Sequence, residues 1–395
     1  MLVWRLLASL ALSTIGGVGL WSVVVALPVI EAEFGIDRGA ASLPYAATMV
    51  GFALGGVLMG RLADRFGIVV PVLLGACMLG LGYVAASQAT SLWQFMLAQA
   101  VLVGLLGSSA TFGPLVADVS LWFKRRRGIA VAVVASGNYL AGTLWPPLLQ
   151  HAIAAVGWRQ AHMAVGIFCM LTMVPLALAL RRRPPLEEHG TVAPMRAFPG
   201  VARLSPSALQ VLLVIAGLAC CIAMSMPQVH IVAYCADLGF GPARGAEMLS
   251  LMLGTGVVSR LGSGLIADRI GGAGTLILGS TLQCMALFFY LPFDGLASLY
   301  VVSALFGLAQ GGIVPSYALI VRDHFPAREA GARISLVLMA TVIGMALGGW
   351  MAGAIYDLTG SYRAAFLNGI AWNLVNMSIA FRLLLAQPRP RALPA

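Results

Sequence analysis

Apolar runs long enough to cross a bilayer as helices recur twelve times along this chain, near residues 7–29, 41–60, 69–87, 92–121, 128–150, 160–180, 208–236, 245–267, 273–292, 296–320, 332–355 and 364–386. A hydrocarbon core offers no water to an exposed N–H or C=O, so such a chain is confined to α-helices or a closed barrel. Continuous apolarity with 46 glycines, in place of period-two alternation, excludes the barrel. With 60% hydrophobic and 10% charged residues over 395 positions, a soluble domain is excluded as well. The expected fold is an all-α membrane protein of twelve transmembrane helices. The run behind Arg5 has the length of a retained first helix and lacks the cleavage site of a secretory signal.

Charge orients the helices. With a cytoplasmic N-terminus, nineteen of the 24 Lys and Arg residues fall on the inside, among them Lys124 to Arg127, Arg181 to Arg183, Arg322 and Arg333. Four fall outside (Arg38, Arg159, Arg244, Arg363), and Arg260 lies within a span. This is the positive-inside pattern. The net charge of +10 is therefore topological, and its dispersal over short loops excludes a nucleic-acid partner and leaves membrane lipids as the expected basic-surface contact. The six cysteines lie in apolar runs without metal-ligand spacing, so no metal and no cofactor are expected. Arg outnumbers Lys 23 to one and the loops are short, which fits a bacterial inner membrane.

The polar stretch from Arg181 to Ser207 divides the helices six and six. Gly60-Arg61-Leu62-Ala63-Asp64-Arg65-Phe66-Gly67 and Gly264-Leu265-Ile266-Ala267-Asp268-Arg269-Ile270-Gly271 recur 204 residues apart, as do Gly35 and Gly239. Gly157 and Gly360 repeat at 203. The chain reads as a duplicated unit: a bundle over 1–180, a cytoplasmic linker over 181–207 and a second bundle over 208–395. Two such halves predict a solute site near the midplane, exposed alternately to either side.

Arg260 is the strongest site candidate. It precedes the polar Asp268 by eight helical residues, about 12 Å, and so lies near mid-depth. A guanidinium there costs about 2.5–3.5 kcal/mol on the insertion scale and cannot shed its proton. An anion in a water-filled path offsets that cost; a structural Arg capped by carbonyls is the alternative. His230, about 13 Å of helix before Gly239, stands at a similar level, with Pro227 able to bend the helix below it. Asn138, Gln310 and Tyr317 are polar enough to line a cavity or to bond a neighbouring helix. Trp145-Pro146-Pro147 predicts a distortion in the outer part of the fifth helix, and Asp118 a pairing with the basic loop.

The paired Gly-x-Leu-Ala-Asp-Arg-x-Gly loops resemble the signature of the major facilitator superfamily. The resemblance implies a charge relay through Asp64, Arg65, Asp268 and Arg269 that latches the cytoplasmic side. The first copy departs from the pattern, with Ile68-Val69 where a basic pair is usual. Trp122-Phe123-Lys124-Arg125-Arg126-Arg127-Gly128-Ile129-Ala130 followed by Ala135-Ser136-Gly137 is similar to the signature of monocarboxylate porters. In that group an Arg ahead of a Gly-Leu-Ile-Ala stretch pairs with the substrate carboxylate, which implies that role for Arg260 before Gly264. An acidic residue one turn earlier is replaced by Gly256, so His230 is the implied proton acceptor and substrate contact. Phe112 falls where related porters have a Tyr. The implied function is not enzymatic: secondary transport of small organic anions, of the lactate and pyruvate kind, coupled to protons. An oxalate/formate-type antiporter and a non-transporting membrane sensor stay open as alternatives.

Overall fold

The computed structural model describes residues 2–123, 127–182 and 205–385; most of the linker, and 124–126 of the basic loop, lie outside them. Among the described residues there are helices and no strand. The first seven spans are α1 (Leu2–Phe34), α2 (Arg38–Phe66), α3 (Val69–Ser87), α4 (Leu92–Trp122), α5 (Gly128–Val156), α6 (Trp158–Ala179) and α7 (Pro206–Asp237). The 48 residues of Pro242–Phe289 would reach about 72 Å as one rod, more than twice the thickness of a hydrocarbon core. They turn at Gly271, whose φ of 75° and ψ of 173° only glycine adopts freely, which separates α8 from α9. The chain closes with α10 (Leu296–His324), α11 (Glu329–Thr359) and α12 (Tyr362–Leu385). The expected twelve crossings are thus present.

The duplication is written in the backbone. Six of the seven positive-φ glycines among the described residues fall in matched pairs, Gly35 with Gly239, Gly67 with Gly271 and Gly157 with Gly360, at the offsets of the sequence repeat; Gly241 has no counterpart. At the start of α7, Ser205 caps the helix by accepting from the Ala208 N–H at 3.2 Å ahead of Pro206.

Four helices are interrupted at mid-length. α1 breaks at Gly17, α4 widens into a π-helix over Ala98–Gly107 and tightens over Ser108–Thr111, α5 breaks at Ser136, and α10 breaks at Gly311 and Gly312. The α5 interruption thus lies inward of the Trp145-Pro146-Pro147 segment that the sequence marks. Both prolines sit within the continuous helix Gly137–Val156, and a neighbour satisfies the carbonyl that Pro147 frees. Pro147 cannot donate to the Thr143 carbonyl, and Ser250 of α8 donates its hydroxyl there instead.

Among the described residues, the glycines packed across the two halves lie toward one face. A Cβ on Gly39 of α2 would lie 2.9 Å from Asp357 Oδ2, and one on Gly353 of α11 would lie 2.8 Å from the Arg38 carbonyl. Gly142 of α5 meets Leu253 of α8 in the same way. Toward the opposite face, Gly56 and Gly60 of α2, Gly128 of α5, Gly262 and Gly264 of α8 and Gly331 of α11 have nothing within 4 Å of that position. The molecule is therefore sealed on the side of Gly35 and Gly239 and parted on the side that carries the termini and the basic loops.

Arg38 closes the sealed face. It is buried, pairs with Glu31 at 2.7 Å and with Asp237 at 2.7 Å, and donates to the Tyr362 hydroxyl at 2.8 Å. Asp357 accepts from the backbone N–H groups of Arg38 and Gly39 at 2.9 and 2.6 Å. The other three Arg residues of this face also have carboxylates: Arg159 with Glu33, Arg244 with Glu247 and Arg363 with Asp294. Their charge is neutralised locally, which explains how they occur against the positive-inside trend. On the parted face Arg5 and Asp118 form a buried pair at 2.8 Å, and Arg5 also donates to the Leu180 carbonyl at 3.2 Å. Asp118 pairs with Arg5 of α1, where the sequence suggested the basic loop.

Candidate functional site

Arg260 lies at the level where the contact between α5 and α8 ends. Gly256, one turn above it, is packed on Tyr139, whereas Gly262 and Gly264, just below, are open. The guanidinium is half-buried and donates from Nη1 to the Ala135 carbonyl at 3.0 Å, beside the break at Ser136. Its Cζ stands 4.3 Å above the Tyr139 ring, a cation–π contact that fixes the plane of the group. Nε is buried and unpaired, and among the described residues no carboxylate lies within ion-pair distance. Carbonyl capping thus satisfies only part of the guanidinium.

The break in α10 is what brings Gln310 here. A Cβ on Gly311 would lie 2.4 Å from the Arg260 backbone N, so only glycine lets the two backbones approach. Gln310 is fully buried, and its Nε2 stands 3.3 Å from the position a Gly256 Cβ would take. Gln228 of α7 donates an amide hydrogen bond to Gln310. Neither Gln228 nor Tyr139 was singled out in the sequence, since one Gln in an apolar helix and one Tyr after a break have no distinguishing pattern.

Within the first half, Asn138 and Phe112 share a cavity of about 10 Å³, the room of one water, with Ser13, Phe52 and Thr111. Asn138 Oδ1 is buried without a partner, and the Phe112 ring lies 6.3 Å from that of Phe52. Along α5, Ala135 and Tyr139 thus face Arg260 while Asn138 faces α1.

Two expected site residues are placed differently. Tyr317 donates its hydroxyl to Asn376 Oδ1 at 2.7 Å and is fully buried between α10 and α12, so its polar atom is committed inside one half. His230 does not meet Arg260: Nε2 lies 2.7 Å from the Gly349 carbonyl and Nδ1 2.9 Å from the Tyr362 hydroxyl. Both ring nitrogens are occupied, and the ring joins the Arg38 cluster of the sealed face. Asp64, Arg65, Asp268 and Arg269 are exposed and make no ion pair among the described residues, as befits an inner face that is parted; Arg65 lies over the Phe66 ring at 5.2 Å.

Comparison with known proteins agrees with this architecture. The chain is 28% identical over 362 residues to monocarboxylate transporter 13 of Bos taurus, covering 90% of this chain and 83% of that protein. It is 27% identical over 314 residues to the MFS transporter asaE of Aspergillus flavus, covering 78% and 69%. Among solved structures, a bacterial homolog of the human lysosomal transporter Spinster, in an inward-facing and occupied conformation, superposes with a TM-score of 0.75 at 14% identity, covering 99% of this chain and 98% of that one. The profile of the Major Facilitator Superfamily matches residues 9–296 and 263–395, between them nearly the whole chain. With its twelve crossings and paired loops, this protein belongs to the Major Facilitator Superfamily.

Proposed function

We propose that the protein is a secondary active transporter of small monocarboxylates of the lactate and pyruvate kind, working by alternating access and coupled to protons. The observation that carries this reading is Arg260, a permanent cation at the junction of the two halves with an unpaired Nε and, among the described residues, no carboxylate within ion-pair distance. A planar carboxylate entering from the parted side offsets the desolvated charge through paired, charge-assisted hydrogen bonds. The likeness to monocarboxylate transporter 13 supports the substrate class. From Ser335 to Asp357, α11 has no Lys or Arg, so a second carboxylate would enter without a partner. Asn138 and Phe112 are assigned to substrate contact from the first half, and the inner latch of Asp64, Arg65, Asp268 and Arg269 closes when the outer face opens. The parted face is the cytoplasmic one, in the inner membrane of a bacterium, by the distribution and kind of its basic residues.

Arg260→Lys tests the reading. The ammonium keeps the charge but not the two-point contact, so uptake of labelled lactate into proteoliposomes should fall by about tenfold or more. Near-normal uptake at unchanged half-saturation would remove Arg260 from substrate binding. Stronger competition by oxalate or succinate than by propionate would move the assignment to a dicarboxylate exchanger.

Proton coupling is assigned to His230 through the outer closure. The Gly349 carbonyl can only accept, so His230 Nε2 carries the hydrogen and Nδ1 of the neutral ring accepts from Tyr362. The Tyr362 oxygen is then free to accept from Arg38, which donates onward to Asp237. A proton on Nδ1 reverses the Tyr362 bond and adds a cation next to Arg38. Asp357, Asp237 and Glu31 are the surrounding carboxylates. Protonation thus loosens the outer closure, and an anion bound below supplies the charge that lets it re-form.

A further inference from the structure

Ala135-Ser136-Gly137 ends the loop motif that stands out in the sequence, and in the structure it breaks α5. Ser136 turns its hydroxyl back onto the Ala132 carbonyl at 2.8 Å, a bond that competes with the helix ladder and bends it. A Cβ on Gly137 would lie 2.6 Å from Ser13, so glycine lets α1 press against the break. The ladder resumes with the Leu140 N–H on the Ser136 carbonyl at 2.9 Å, and among the described residues no backbone N–H reaches the Ala135 carbonyl. That freed carbonyl is the one Arg260 takes with Nη1, at 3.0 Å.

The molecule holds a complete counterpart of this arrangement. Arg5 lies 4.2 Å over the Trp122 ring and gives Nη1 to the Leu180 and Arg182 carbonyls, just past the end of α6, at 3.2 and 3.1 Å. With Nε and Nη2 it holds the two oxygens of Asp118, at 2.9 and 2.8 Å. Arg260 lies 4.3 Å over the Tyr139 ring and gives Nη1 to Ala135. Its Nε, on the edge that Arg5 uses for a carboxylate, is buried without a partner. A ring fixes the plane of a guanidinium, and a carbonyl on Nη1 fixes its rotation within that plane. What Arg260 then offers is the Nε–Nη2 edge, two parallel N–H groups spaced for a carboxylate.

We propose that the α5 break is a positioning element for the substrate: it lends the Ala135 carbonyl to Arg260, so that the Nε–Nη2 edge takes the substrate carboxylate side-on, as Arg5 takes Asp118. This rests on the assignment of the carboxylate to Arg260. Ser136 and Gly137 are positioning residues that act through the cation without touching substrate. In a continuous α5 the Tyr139 N–H would take the Ala135 carbonyl, and the guanidinium would keep its charge but lose its orientation. Such a site attracts any small anion of one charge. Held by the break, it favours a planar carboxylate over a sulfonate, whose third oxygen stands out of the plane of the fork.

The test exchanges single backbone amides for esters in the full-length chain. The α-hydroxy acid counterpart of serine at position 136 makes the Ala135 carbonyl an ester carbonyl, a weaker acceptor. Glycolic acid at position 137 does the same to the Ser136 carbonyl, which accepts from the Leu140 N–H within the helix. Binding is read as thermal stabilisation of the purified protein by propionate and by ethanesulfonate. Propionate should half-saturate the wild type at about tenfold lower concentration, and the ester at 136 should close most of that gap while leaving ethanesulfonate within about twofold. The ester at 137 should leave the gap as it is. If the ester at 136 does not fold, the triple variant Ser13→Gly, Ser136→Ala, Gly137→Ala, which lets α5 run on, should close the gap in its place. Equal affinity for the two anions in the wild type, a gap that survives the change at 136, or one that narrows equally with the ester at 137 overturns the positioning role and leaves the Arg260 assignment intact. Stabilisation by neither anion overturns the carboxylate assignment and the positioning role with it.

Discussion

At the scale of single residues, Tyr139 carries a share of the site that its identity alone does not advertise. Its ring is 7% exposed and lies 4.3 Å beneath the Arg260 guanidinium, which it holds flat while the Ala135 carbonyl takes one N–H. A desolvated cation–π contact contributes up to about 2 kcal/mol. Tyr139→Leu should therefore weaken the apparent affinity for lactate by about tenfold in proteoliposome uptake, while Tyr139→Phe, which keeps the π-face, should stay near the wild type. Equal losses in both variants would assign the effect to the hydroxyl and not to the ring. Arg260 itself was legible from sequence, because a guanidinium within an apolar span is rare enough to mark a site without help from neighbours. Gln228 and Tyr139 were not, because what distinguishes them is which helix they face.

At the scale of elements, the seam between α2 and α11 depends on the absence of side chains. A Cβ on Gly353 would lie 2.8 Å from the Arg38 carbonyl, against backbone that cannot step aside as a flexible side chain would. Gly353→Val should wedge the outer face apart and shift the protein toward the outward-open state. In a background without the natural cysteines, Ser42→Cys is buried in α2 and should resist a membrane-impermeant maleimide, and should become reactive once Gly353→Val is added. A thiol that stays protected would mean that the seam absorbs the methyl groups by local repacking. The interruptions of α1, α4, α5 and α10 belong to this scale too. Gly311 and Gly312 announced a break in α10 only once α8 was seen against them, since an isolated Gly pair in an apolar run is equally compatible with close packing of an intact helix.

For the whole molecule, the proposed coupling joins the state of the outer closure and the charge of His230 in one equilibrium. Protonation adds a cation beside Arg38, so acid on the outer side should favour opening and substrate entry, and release of the proton should favour closure. His230→Gln retains a polar group but cannot take up the proton. It should leave measurable lactate exchange and abolish the acceleration of uptake by an inward proton gradient. Acceleration that survives in the variant would place coupling elsewhere, and a wild type indifferent to the gradient would remove proton coupling altogether. His230 was expected beside Arg260 from its depth in α7. Depth is the coordinate that helix rise supplies, and azimuth is not, so the ring points to α11 and α12 and joins the Arg38 cluster.

The sequence by itself determined the number of crossings, the duplication and the family. These follow from local quantities: apolar length against bilayer thickness, loop charge, and Gly-Asp-Arg spacings repeated at a fixed offset. It also marked Arg260 as the strongest site candidate, because a guanidinium within an apolar span needs compensation from an anion or from capping carbonyls. Tertiary structure alone decided which polar side chains share a wall, that Tyr317 is spent on Asn376, and which face is sealed. Those facts depend on the rotation and crossing of helices. In a chain apolar on nearly every side, no hydrophobic stripe records that rotation, and only contact between the packed helices reveals it.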